Sequence, residues 1–119
     1  MSRYIDVYVL PVKKHKIDDY RKFAEASGHL WRQHGALEVV EVTADDVKPG
    51  VHTSFPQSVK LDADEIVVVS WVAFRSREDR DKIKREVMKD PLFAEIGPDS
   101  VPVDGQRMFW GGFQSLVEL

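Results

Sequence analysis

No cysteine occurs in the chain. Disulfides, thiolate catalysis, iron–sulfur clusters and cysteine-type zinc sites are thereby excluded. Long apolar runs are also missing. The longest is Ile66–Val69, then Ser70, then Trp71–Phe74, far below the roughly 20 residues a membrane helix needs. The start, Met1-Ser2-Arg3-Tyr4, has no signal-peptide layout, so a cytoplasmic location is the expectation. Basic excess is lacking too, with 17 Lys and Arg against 20 Asp and Glu and a formal charge of −3. Proteins that track phosphate backbones usually carry a basic surplus, so the charge argues against nucleic acid as the partner.

What is present fits one globular domain over residues 1–119. Apolar residues make up 43% and charged residues 31% of the 119, an ordinary mixture for a folded chain rather than a disordered one.

Period-two and period-3.6 patterns alternate along the chain. Residues Arg3 to Val12 read as a strand, with Pro11 marking its end. Lys16 to His34 reads as a helix with Ile17, Tyr20, Phe23 or Ala24, Ser27 and Trp31 on one face. Gly35 follows as a left-handed cap. Ala36 to Thr43 is a second strand, and Ala44 to Asp64 a long irregular stretch. Glu65 to Phe74 is the strongest strand. Ser76 caps a second helix that Asp90-Pro91 stops. A second irregular stretch leads to Arg107, and Met108 to Val117 forms the last strand. The order β-α-β-β-α-β is that of a ferredoxin-like α+β fold, with a four-stranded antiparallel sheet and two helices on one face.

The strands are apolar on both faces. Ile66, Val68, Val72 and Phe74 oppose Val67, Val69, Trp71 and Ala73 on the third strand. Two helices cover only one face, so a second copy packed sheet to sheet is the expected cover for the other. Val47, Val51, Phe55, Val59 and Leu61 give the first irregular stretch an apolar series. We expect that stretch to be ordered and packed against the subunit or its partner.

Several strings carry a family likeness: His34-Gly35-Ala36-Leu37-Glu38, Ala44-Asp45-Asp46-Val47-Lys48-Pro49-Gly50, Thr53-Ser54-Phe55-Pro56, Val69-Ser70-Trp71, Met88-Lys89-Asp90-Pro91, and Asp104-Gly105 with Arg107-Met108 and Gly111-Gly112-Phe113. Together they resemble the bacterial family called domain of unknown function 1428 over almost the whole chain. The resemblance implies a ferredoxin-like fold of the dimeric α+β-barrel type. It implies no activity, although that architecture includes cofactor-free monooxygenases and haem- or aromatic-degrading proteins.

Catalytic motifs are sparse. His29 and His34 are five apart, which puts them about 140° apart around a helix, so no metal site is expected. Gly111-Gly112 lies in a strand and matches no phosphate loop; a bulge or close backbone approach is the reading there. No G-x-S-x-G is present, and no cofactor is expected. Asp6, between two tyrosines on one strand face, must be paired if buried. Either an Arg or Gln on a neighbouring strand or the partner chain takes it, or it is a pocket acid. Trp31 and His34 lie one turn apart, and with Tyr8, Trp71 and Phe113 they would line an aromatic small-molecule site between the first helix and the sheet. An aromatic core is the alternative. His34, titrating near neutrality, is the first candidate proton carrier and Asp6 the second. The residues Arg77 to Glu86 read as a solvated helix face.

The expectation is thus a small dimeric protein that binds a small aromatic or apolar molecule, extending to a cofactor-free enzyme. The alternative is a module without catalysis, for RNA or protein. Tyr8 and Trp71 lie on the strands where an RNA-recognition domain stacks bases.

Overall fold

The computed structural model describes residues 2–97, 101 and 103–119. The elements run β1 (Tyr4–Lys13), α1 (Ile17–Gln33), β2 (Glu38–Thr43), α2 (Phe55–Ser58), β3 (Glu65–Phe74), α3 (Arg77–Lys89), α4 (Pro91–Ile96) and β4 (Phe109–Gln114). The sheet order is β2-β3-β1-β4, antiparallel throughout. This is the ferredoxin-like arrangement expected from the sequence.

Strand alternation sorts the residues by face. On the helix side, Leu10 and Val12 of β1 and Val68 of β3 pack against Tyr20 of α1. Further along, Val72 and Phe74 of β3 join Leu30 and Trp31 of α1 and Ile83 and Val87 of α3. On the opposite side Val9 and Val67 are buried under Val59, with Ala44 and Leu61 beside it. The first irregular stretch therefore folds back across part of the sheet's second face. Its apolar series divides there: Val59 is fully buried, while Val47, Val51 and Phe55 stay exposed.

Several boundaries differ from the sequence reading. β2 starts at Glu38 rather than Ala36, and β4 runs Phe109–Gln114 rather than Met108–Val117. Pro11 does not end β1, which continues to Lys13. Past Val9 the strand loses β4 and keeps only an isolated bridge, Val12 to Val103, on that side, and proline is tolerated where a strand is half an edge. Both irregular stretches contain a short helix. Ser54 caps α2 by accepting the Gln57 N–H, with Pro56 in the first turn. Asp90 ends α3 and caps α4 at once, its Oδ1 accepting the Leu92 N–H at 2.9 Å. Residues 98–100 and 102 of the second stretch lie outside the described residues.

The other signals hold. Ser76 accepts the Asp79 N–H at 3.0 Å and starts α3. Gly35 takes φ 114° after α1, a conformation that costs a residue with a Cβ. Gly112 pairs with Asp6, and a Cβ there would meet the Tyr4 hydroxyl at 2.2 Å, so the expected close approach is real.

Candidate functional site

A cavity of about 430 Å³ lies between α1 and the helix side of the sheet. Sheet residues Tyr8, Leu10, Val39, Glu41, Ser70 and Val72 form its floor. Tyr20, Phe23, Ala24 and Ser27 of α1 close it above, and Val101, Val103, Gly105 and Met108 wall one side. A neighbouring groove of about 650 Å³ runs between α1 and the outer strand β2. Tyr20, Ala24, Val39 and Glu41 belong to both spaces.

The polar heart of the cavity is a pair. Tyr20, on the packing face of α1, donates its hydroxyl to Glu41 Oε1. Glu41 falls on the helix side of β2 because it pairs with Ser70 of β3. Glu41 sits on an edge strand and is exposed as a residue, yet its carboxyl faces this interior. Burial raises its pKa, while Tyr20 and Ser70 act in the opposite direction by favouring the ionised form. Burial also raises the pKa of the Tyr20 phenol, and the Glu41 charge adds to that. Tyr8, stacked on Trp110 with ring centroids 5.6 Å apart, is pushed up to about 12, first by burial and then by Asp6. Both tyrosines are thus neutral hydrogen-bond donors at neutral pH. Among the described lining residues Glu41 is the one carboxylic acid.

The five residues expected to form the site are not brought together. Tyr8 alone lines the cavity. Trp31 is core, edge-on to Phe74 at 6.1 Å. Trp71 and Phe113 point to the opposite sheet face, because their parity on β3 and β4 places them there. Trp71 Nε1 donates to Glu38 Oε1 at 2.8 Å. His34 caps the end of α1, where its Nε2 lies 2.8 Å from Asp90 Oδ2 and its Nδ1 3.6 Å from Glu86. The hydrogen bond to His34 is the main cause that lowers the Asp90 pKa. His34 thus pins α1 to the α3–α4 junction, outside the cavity lining.

Asp6 is fully buried and ion-paired, as expected of its type, but its partner differs in place. Arg80 Nη1 of α3 donates to Asp6 Oδ1 at 2.8 Å. Arg80 is the exception to the solvated face of α3, being buried itself. Burial raises the Asp6 pKa and Arg80 opposes it. The sequence reading overlooked Glu41. An acid between Val39 and Thr43, at an inward parity, was the available signal.

Among the described residues no group of His, Asp or Glu is placed to hold a metal ion, and no helix is long and apolar enough to cross a membrane.

Comparison with known proteins puts this geometry in context. "Uncharacterized protein YbaA" of Escherichia coli (strain K12) is 40% identical over 116 residues, covering 98% of each chain. Among solved structures, a NIPSNAP family protein from Agrobacterium tumefaciens has a TM-score of 0.59 at 18% identity, over 95% of this chain and 87% of that one. SnoaB, a cofactor-independent oxygenase from Streptomyces nogalater, has a TM-score of 0.57 at 13% identity, over 98% and 96% of the chains. A putative antibiotic biosynthesis monooxygenase from Bacillus cereus has 0.56 at 10%, over 100% and 98%. These structural likenesses concern the fold. The model of the family described as "Protein of unknown function (DUF1428)" matches residues 3–105, and the chain belongs to that family.

Proposed function

We propose that this protein binds a small, largely apolar or aromatic molecule in the cavity between α1 and the sheet. The observation that carries this reading is the cavity itself. Its 430 Å³ falls in the usual range for small-ligand sites, about 300–1,000 Å³, and a mostly apolar lining with a few polar groups is their usual make-up. The test is thermal shift against a metabolite library with the parent and with Ser27→Leu, which fills the cavity from α1. The parent gains melting temperature with a subset of compounds and the variant loses those gains. Equal responses from both would place binding elsewhere.

The second sheet face supports a homodimer. Phe109 and Phe113 of β4 and Val42 of β2 stand exposed on it, with Val51 and Phe55 of the loop nearby in sequence to the Val59 cover. Exposed apolar side chains on a sheet face are a usual mark of an interface, and a twofold pair is the simplest occupant. The nucleic-acid alternative draws little support. By strand parity the charged strand residues on that face are Glu38, Lys13 and Glu65; Lys13 is paired with Asp62 and Asp64, and Glu65 with Arg107.

Catalysis without a cofactor is a second reading, favoured by the Tyr20–Glu41 pair. A carboxyl with a raised pKa beside a phenol is equipped to accept or return a proton. A structural neighbour is named a cofactor-independent oxygenase, a likeness of fold that lends this reading analogy alone.

A further inference from the structure

The charge content of the cavity is one-sided. Among the described residues no Lys, Arg or His lines it, and Glu41 is its single carboxylic acid. The two arginines of the neighbouring groove are engaged elsewhere. Arg21 pairs with Asp18 at 2.6 Å, and Arg32 donates to the carbonyls of Ala36 and Leu37. Arg80, the guanidinium nearest Tyr8, is held by Asp6 and Asp81.

The Glu41 carboxyl is held in place on one side by Tyr20. An ionised carboxylate offers about four acceptor positions, so acceptor capacity remains for a guest. The rings of Tyr8 and Tyr20 line the same space, and tyrosine faces attract cations. An anion brought beside Glu41 would meet a like charge, with no cation among the described lining residues to offset it. A cation would satisfy Glu41 and rest against aromatic rings.

We propose that the cavity selects a small amine, its ammonium set beside Glu41 among the Tyr8 and Tyr20 rings and its apolar body toward Leu10, Phe23 and Met108. This assignment rests on the ligand-cavity reading above and adds the class of ligand. Three donors on an ammonium suit a carboxylate and the Ser27 and Ser70 hydroxyls that share the lining.

The experiment is titration calorimetry on the full-length protein at neutral pH with three probes of matched size: 2-phenylethylamine, 2-phenylethanol and phenylacetate. The parent binds the amine about tenfold more tightly than the alcohol, the scale of one charge-assisted hydrogen bond, and shows no binding of the acid. Glu41→Gln, with its fold checked by circular dichroism, binds amine and alcohol alike. Ser27→Leu binds neither. The assignment is overturned if the parent prefers the alcohol or the acid, or if Glu41→Gln keeps the preference for the amine. In those cases a loss of binding in Ser27→Leu still upholds the cavity as a ligand site. Absence of binding by all three probes overturns the amine assignment, whereas the library screen decides the cavity reading separately.

Discussion

Asp6 has one carboxylate oxygen on Arg80, and its other oxygen, Oδ2, has no hydrogen-bond partner among the described residues. Removing Arg80 leaves a buried charge alone, which typically costs about 3–5 kcal/mol. Arg80→Met should therefore lose stability of that order in urea unfolding, and Asp6→Asn in the same chain should recover much of it. Independent effects of the two changes would mean that the pair is not coupled. Glu65 gives a different pH signature. Arg107 donates to both its oxygens at 2.7 Å and holds its pKa to about 2. The ionised form is thus favoured by folding. Its contribution is complete above the ordinary carboxylate value of 4.5 and fades as pH falls toward 2. Arg107→Gln should lower stability at neutral pH, and the gap from the parent should narrow in unfolding curves at about pH 3. At this scale legibility was uneven. Asp6 stood out because an acid in mid-strand between tyrosines demands a partner. Arg80 hid within a run of alternating charges, and only the docking of α3 onto β1 turns that one position inward.

The elements were readable where periodicity was strong. The bounds of β3 and the capping of α3 by Ser76 match the sequence reading. The helices α2 and α4 were not readable, because four and six residues give too little period to register. The misplaced aromatic site has a similar origin. Helical spacing puts Trp31 and His34 on neighbouring positions, but strand parity decides which side of the sheet Trp71 and Phe113 occupy, and the sheet separates them. His34 also shows what an element end does. It joins α1 to the α3–α4 junction through Asp90, so His34→Gln should speed amide exchange in Pro91–Ile96 while leaving ligand-induced thermal shifts intact. Loss of those shifts with unchanged exchange would return His34 to the site. A second element-level prediction concerns the crossing of Tyr4 over Gly112. Gly112→Ala drives a methyl into the Tyr4 ring, so Tyr4 must move from its place beneath the Arg80 guanidinium, 4.9 Å from its centroid. A crystal structure of the variant should show Tyr4 displaced, and an unmoved Tyr4 would contradict the account.

For the molecule as a whole, the two sheet faces differ. The helix side carries the cavity, and the other side is covered in part by Val59 and Leu61 and exposes Val42, Phe109 and Phe113. The fold class and the second apolar face were legible because both depend on alternation along whole strands. The cavity was not, because it depends on how far α1 stands from the sheet. Phe113 is exposed in one subunit, so Phe113→Asp should leave the subunit folded while splitting the proposed pair, halving the mass seen in light scattering. The central claim, a ligand held between α1 and the sheet within the subunits of such a pair, is tested most directly by native mass spectrometry of protein taken gently from bacterial cells. The account predicts twice the 13.6 kDa chain mass plus a small-molecule increment that Ser27→Leu abolishes. A bare chain mass, or an increment that Ser27→Leu leaves unchanged, would contradict it.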